Sequence, residues 1–276
     1  MRTKKIELSS EKAAKLLLDR DTNYFRSIKF HFIADHCGFR KGKVHCLLST
    51  TSAGKSTLTR SILNQALNGS VVTYYSTEET LRDSETFYAE SGMTQTQQNN
   101  LGFLHEHDFT DILFDDYKKW IDEVFAEVVY FGSDLLIIDN ITTSKFYDPY
   151  PTKQGHISAY LAEQAANHEI PVFIVLHTAK GVSQSQSQII GPDDVRGAKA
   201  LANTAEYFYI LTKWVNTTAI GSQVINTFIQ VAKSRLHKNS NKWYLLHYDC
   251  ERNKYTQSIE TSFEAVKTAF KNREKF

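Results

Sequence analysis

The 276-residue sequence contains no apolar run approaching the ~20 residues that a membrane-spanning helix needs. The amino-terminal segment is charged and lacks the apolar core of a secretion signal. Cysteine is scarce and odd in number: Cys37, Cys46 and Cys250 fall in no metal-ligand spacing. They read as unpaired thiols of a reducing compartment, with neither a disulfide framework nor a zinc site. A cytoplasmic protein with no membrane contact is the expectation. Charge of one sign is also missing, since 32 Lys and Arg stand against 31 Asp and Glu. A chain this close to neutral has no global attraction to nucleic acid, so any such binding must come from local loops. There is no internal repeat and no long low-complexity tract; the nearest is Ser183-Gln-Ser-Gln-Ser-Gln188.

What is present centres on Val44-His-Cys-Leu-Leu-Ser-Thr-Thr-Ser-Ala-Gly-Lys-Ser-Thr-Leu58. An apolar run stops at small residues, and Gly54-Lys55-Ser56-Thr57 opens a helical pattern through Leu58, Ile62, Leu63 and Leu67. Strand, small-residue turn and helix with GK[ST] at its start is the phosphate-binding loop. The free amides and partial positive charge of a helix N-terminus suit a polyphosphate. Residues Ser49, Thr50, Thr51, Ser52, Ala53, Gly54, Lys55, Ser56 and Thr57 are expected to wrap it. Lys55 would reach the β- and γ-phosphates, and Ser56 would ligate Mg²⁺. The first position of the pattern asks for Gly and holds Ser49, another small residue.

The remaining signals follow in order. Ser10 caps an expected short helix with Leu16, Leu17 and Leu18, packed on its own domain or on a neighbouring subunit. A short helix and glycine turn between Ser27 and Gly42 would feed the phosphate-loop strand. A second strand, Val71–Tyr75, ends in Ser-Thr-Glu78-Glu79, where two carboxylates can hold a water or merely start a helix. A helix over 80–98, a strand over 100–104 and an amphipathic helix over 110–131 come next. Asp134-Leu-Leu-Ile-Ile-Asp-Asn140 is an apolar run ending in Asp139, which would hold the Mg²⁺ shell through water or Ser56. The loop over 142–155 carries Lys145, Phe146, Tyr147 and Lys153, a basic and aromatic mix that suits single-stranded nucleic acid or an ordinary exposed loop. Pro171–Leu176 is a further buried strand, ending in His177, beside the expected γ-phosphate position. Lys180 and the amides Gln184, Gln186 and Gln188 follow in a loop that can contact a nucleic-acid backbone or act as a linker. After a helix near 198–205, the strand Tyr207–Leu211 precedes two antiparallel strands, 222–232 and 242–248. Lys233 and Arg235, one residue apart, point the same way on an extended chain. A basic helix over about 260–273 closes the chain.

From about Gly38 to Tyr255 this order resembles the RecA-fold ATPases of the DnaB/RepA and RadA/KaiC branches. "GFRKG" is similar to the family's lead-in, "YYSTEET" to the strand bearing the catalytic glutamate, and "LLIIDN" to the Walker B strand. "FIVLHTAKG…DVRGAKALANTAEYFYIL" looks most like the small RepA-type ring helicases, and "VAKSRLHKN" resembles the Lys-x-Arg element that reaches the next subunit's ATP site. The resemblance implies an α/β fold: a RecA-like P-loop NTPase core, a mostly parallel twisted sheet flanked by helices, with a C-terminal antiparallel extension. The implied division is an arm and linker helix at 1–26, the ATPase domain at 27–258 and a basic helix at 259–276. It implies ATP and Mg²⁺ as cofactors, Glu78 as general base, Lys55 and Asp139 at the phosphates and metal, and His177 as the link between γ-phosphate and channel loops. Arg235 with Lys233 would act in trans as an arginine finger. The implied activity is that of a hexameric replicative helicase pulling single-stranded DNA, with a loader or primase as partner. A RecA-fold regulator or recombination mediator that does not unwind DNA is the alternative.

Overall fold

The structure, a computed structural model, describes residues 24–25, 28, 30–34, 38–50, 53–149, 151–178, 199–217, 223–235 and 241–271. The expected helix at Ser10, and the site candidates Thr51, Ser52, Lys180, Gln184, Gln186 and Gln188, lie outside these residues.

Two short strands, β1 (Tyr24–Phe25) and β2 (Phe39–Arg40), pair antiparallel. They flank a short helix, α1 (His31–Ala34). Among the described residues the main sheet has nine strands. Six run parallel in the order β8 (Tyr207–Thr217), β3 (Val44–Ser49), β7 (Val172–His177), β6 (Leu135–Asp139), β4 (Val72–Ser76) and β5 (Leu101–His105). Beyond β8 the antiparallel strands β9 (Gln223–Ser234), β10 (Lys242–Asp249) and β11 (Lys254–Thr261) extend the sheet. This mixed α/β sheet with an antiparallel C-terminal group matches the architecture expected from the sequence.

Residue chemistry explains the parallel block. Every residue of β3, β4 and β6 is buried, and β3 and β6 are largely apolar along their length, with polar residues at their carboxyl ends. Successive side chains point to opposite faces. Cys46 and Leu48 face one core with Trp120, Val124 and Phe125 of α5 (Tyr117–Tyr130) and Leu161 of α6 (Gln154–His168). Leu47 faces the other core with Leu58 and Ile62 of α2 (Lys55–Ala66). Each such fully buried apolar side chain is worth roughly 1.5–3 kcal/mol.

Several elements differ from the sequence reading. The helix expected over 80–98 is two helices, α3 (Leu81–Glu90) and α4 (Gln95–Asn99). Gly92 sits at φ 63° between them, and Thr94 opens the second with a capping box to Gln97. The helix expected from residue 110 starts at Tyr117, where Asp116 accepts from the Lys119 amide. The fifth strand runs to Thr217, because β9 pairs along its whole length. After a short α7 (Lys199–Thr204), the C-terminal surprise is β11, which passes through the expected boundary at 258. The last helix, α8 (Phe263–Lys271), packs back on the extension through Val266, Trp214, Phe228 and Trp243.

Candidate functional site

The carboxyl ends of β3, β4, β6 and β7 converge. Parallel pairing sets Ser49 level with His177, and Ser76 level with Asp139. Ligands of open α/β sheets bind at this end. Past Ser49 the loop turns through an Ala53 amide bond to the Thr50 carbonyl, and Gly54 takes a left-handed φ of 89°. That conformation favours glycine. Gly54 has no side chain to cap α2, and the helix's first amides open towards the loop.

Lys55 is buried, and its Nζ lies 2.7 Å from His177 Nε2 and 3.3 Å from Nδ1. Burial lowers its pKa, opposed by the carboxylates of Asp139 and Glu78. Asp139, also buried, accepts from the Tyr74 hydroxyl at 2.9 Å. Burial pushes its carboxyl up to about 6 against the pull of Lys55 and the Tyr74 hydrogen bond, while Glu79 and Glu78 push the same way as burial. A second positive charge at this carboxylate would restore its ionised form. Among the described residues no group of three or more His, Cys, Asp or Glu forms a metal cage. A cation held by the Ser56 hydroxyl and Asp139 would take its other ligands from phosphate and water, the habit of Mg²⁺.

The two neighbouring carboxylates separate into different roles. Ser76 Oγ accepts from the amides of Glu78 and Glu79 and shapes their turn. Glu79 is bound to Arg60 of α2 at 2.5 Å, and that guanidinium also lies over the Phe87 ring. Glu78 has a half-exposed side chain 3.9 Å from His177 Nε2, so its carboxylate faces the open site. Lys55, Glu78, Asp139 and His177 thus come together as a group.

Lys233 and Arg235 do not join them. Ser234 pairs with Tyr207, which pairs with His45, four residues before Ser49. That is about 13 Å down the strands and about 10 Å across. In this copy Lys233 Nζ donates to the Ala202 and Asn203 carbonyls at 2.6 and 2.9 Å, and Arg235 donates to Asn203. Both cap the end of α7.

The loop expected to present aromatic residues to a single strand is turned inward instead. Phe146 and Tyr147 are fully buried, and Phe146 stacks on Trp120 at 5.0 Å. Lys145 donates from Nζ to the Glu106 carbonyl at 3.2 Å and lies over the Phe114 and Phe146 rings. The buried Glu106 carboxylate accepts from Ser144 Oγ and the Lys145 amide; burial raises its pKa. Lys153 sits half-buried at the start of α6.

Two features were not marked in the sequence. Tyr255 of β11 lies against Gly54 and binds Ser61 Oγ of α2 through its amide at 3.0 Å. A polar groove of about 580 Å³ adjoins the loop, between Thr57, Arg60 and Asn64 on one side and Phe87 and the Glu251–Lys254 turn on the other. Neither could be read from spacing, because the β10–β11 hairpin is about 190 residues from the loop.

Comparison with known proteins bears on the architecture. The chain matches the crystal structure of the KaiC-like protein PH0186 from the hyperthermophilic archaeon Pyrococcus horikoshii OT3 with a TM-score of 0.58 and 14% identity, covering 82% of this chain and 93% of that one. No protein-family model matches, and neither does any curated protein. At this identity the likeness establishes the fold alone: a KaiC-like mixed α/β fold with its antiparallel strand group at the C-terminal edge. No described helix is long and apolar enough to cross a membrane.

Proposed function

We propose that the chain is an ATPase whose site is completed by a second copy of itself, and that it works as a ring-forming motor on single-stranded DNA. The observation that carries the ATPase reading is the convergence of Lys55, Glu78, Asp139 and His177 beside a glycine-opened helix. Lys55 binds the β- and γ-phosphates on leaving His177. The Ser56 hydroxyl and Asp139 would hold Mg²⁺, which would supply charge neutralisation at the phosphates. Glu78 orients the attacking water and takes its proton on the carboxylate. The groove between Arg60, Phe87 and the Glu251–Lys254 turn receives base and ribose. Arg235 lies too far down the sheet to serve its own Lys55, which supports a role at a neighbouring copy's phosphates. A head-to-tail contact of this kind generates rings when the rotation closes.

A second reading is a RecA-fold regulator that switches protein partners with ATP. The inward-turned Lys145, Phe146 and Tyr147 and the near-neutral charge favour it, because they remove part of the expected DNA-facing chemistry. One experiment separates the two: ATP turnover with and without single-stranded DNA, for wild type and Glu78→Gln. Stimulation by DNA that is lost in the variant supports the motor. Glu78-dependent turnover indifferent to DNA supports the regulator. Turnover unaffected by Glu78→Gln overturns the site assignment itself.

A further inference from the structure

The wholly buried Asn140, just past β6, connects three strand ends. Its orientation is determined by its neighbours. The Thr143 amide, which can only donate, lies 3.1 Å from Asn140 Oδ1, and Thr142 Oγ1 donates to the same oxygen at 2.8 Å. The side-chain NH₂ therefore faces His177, with Nδ2 2.8 Å from Nε2. An amide NH₂ has no acceptor, so Nε2 must be the accepting nitrogen, and a neutral imidazole then carries its proton on Nδ1. The His177 amide donates to Thr142 Oγ1 at 3.1 Å and closes the circuit. Thr142 thus accepts from the backbone of His177 and hands its own proton to Asn140, which donates back to the ring.

We propose that Asn140 is a positioning residue of the nucleotide site, holding His177 in the Nδ1–H tautomer through the closed circuit His177–Thr142–Asn140. The proposal rests on the ATPase reading for its consequence but not for its geometry. The same Nε2 that Asn140 addresses also lies 2.7 Å from Lys55 Nζ. It is a shared acceptor for the amide and for the phosphate-binding lysine. His177 then registers nucleotide by losing Lys55 to the phosphates, while Asn140 keeps the ring in place. It does not register nucleotide by giving a proton from Nε2. Asn140 extends the linkage to the third strand end, because its carbonyl accepts from Thr77 Oγ1 at 2.7 Å, next to Glu78. A hydrophobic residue at this position would leave Nε2 to Lys55 alone, and without a donor once Lys55 moves to the phosphates.

The test is the ring ¹⁵N spectrum of His177 in the nucleotide-free, histidine-labelled full chain, assigned with His177→Gln. The expected result is a protonated Nδ1 and an unprotonated Nε2. In Asn140→Asp, a carboxylate oxygen replaces the NH₂ and the proton moves to Nε2. A wild-type ring protonated at Nε2, or an Asn140→Asp spectrum identical to wild type, overturns the proposal. Should Asn140→Asp not fold, Asn140→Ala is compared with the parent chain, both in a Lys55→Ala background, which removes the NH₂ with no lysine left at Nε2. A mixture of tautomers is then expected, and an unchanged ring signal overturns the proposal. Turnover measured in parallel should fall about 10–100-fold in Asn140→Asp, with KM changed less than about threefold. A wild type without ATPase activity but with the expected ring spectrum overturns the functional reading and leaves the circuit standing. An active wild type with the wrong tautomer overturns only the circuit.

Discussion

The hydroxyl of Tyr255 fills the space beside Gly54: a Cβ built on that glycine would lie 2.7 Å from Tyr255 Oη, whereas the nearest ring carbons are 3.6 and 3.7 Å away. β11 thus sets the clearance of the turn that opens α2. Gly54→Ala should cost about 1–3 kcal/mol, from the left-handed φ and the contact together, and should weaken nucleotide binding. Tyr255→Phe removes the close atom and loses only a 3.4 Å hydrogen bond to Thr227. Thermal unfolding of both single variants and the double variant should show Gly54→Ala costing less in the Phe background. An equal cost in both backgrounds would mean that Tyr255 does not set the clearance.

Glu78 and Glu79 should differ in kinetics as they do in geometry. Glu78→Gln is expected to lower single-turnover hydrolysis at least about 100-fold with nucleotide affinity retained. Glu79 is tied to Arg60, so Glu79→Gln should keep at least a tenth of the rate. Equal losses in the two variants would remove the distinction.

The raised Asp139 pKa makes nucleotide-free stability depend on pH. Its ordinary value of 3.8 rises to about 6 in the folded chain. The folded state therefore holds the proton more tightly, and stability falls as pH rises from about 4 to 6. The loss reaches at most about 3 kcal/mol. Glu106, also shifted upward, contributes in the same direction. Urea unfolding of Asp139→Asn across this window should show a flatter profile than wild type, with the Glu106 share remaining. A profile as steep as wild type would show that Asp139 ionises without penalty.

Lys145→Ala should lower stability and leave DNA affinity alone. Its ammonium is engaged by the Glu106 carbonyl and two aromatic rings, so it releases no counterion on phosphate binding. The check is the slope of log affinity for single-stranded DNA against log salt, compared with wild type. A slope reduced by about one would return Lys145 to the DNA-binding surface.

Much of this was legible in the chain. β3, β6 and β7 announce themselves as largely apolar runs because helices cover both faces, and the GKST turn locates α2 because a glycine-opened helix suits that loop. Lys55, Glu78, Asp139 and His177 follow from being the residues at the strand ends. What escaped detection depends on distant partners. Phe146 looks like a stacking surface until Trp120 is placed against it. Lys254-Tyr-Thr-Gln-Ser-Ile-Glu-Thr261 is largely polar, with no apolar run to mark a strand, yet it pairs with β10 along its length. Asn140 looks like an ordinary residue after Asp139, and its importance lies in Thr142 close by and in Thr77 and His177, which reach it from two other segments.

The separation of Arg235 from Lys55 has an arithmetic consequence for mixed assemblies. If each site borrows its arginine, a copy with Glu78→Gln spoils its own site and a copy with Arg235→Ala spoils its neighbour's. Each preparation alone should be inert. Mixed in equal amounts and allowed to exchange, about one junction in four joins an intact Glu78 to an intact Arg235. Two dead proteins should then recover roughly a quarter of the wild-type rate, whereas a chain that used its own Arg235 would recover nothing on mixing.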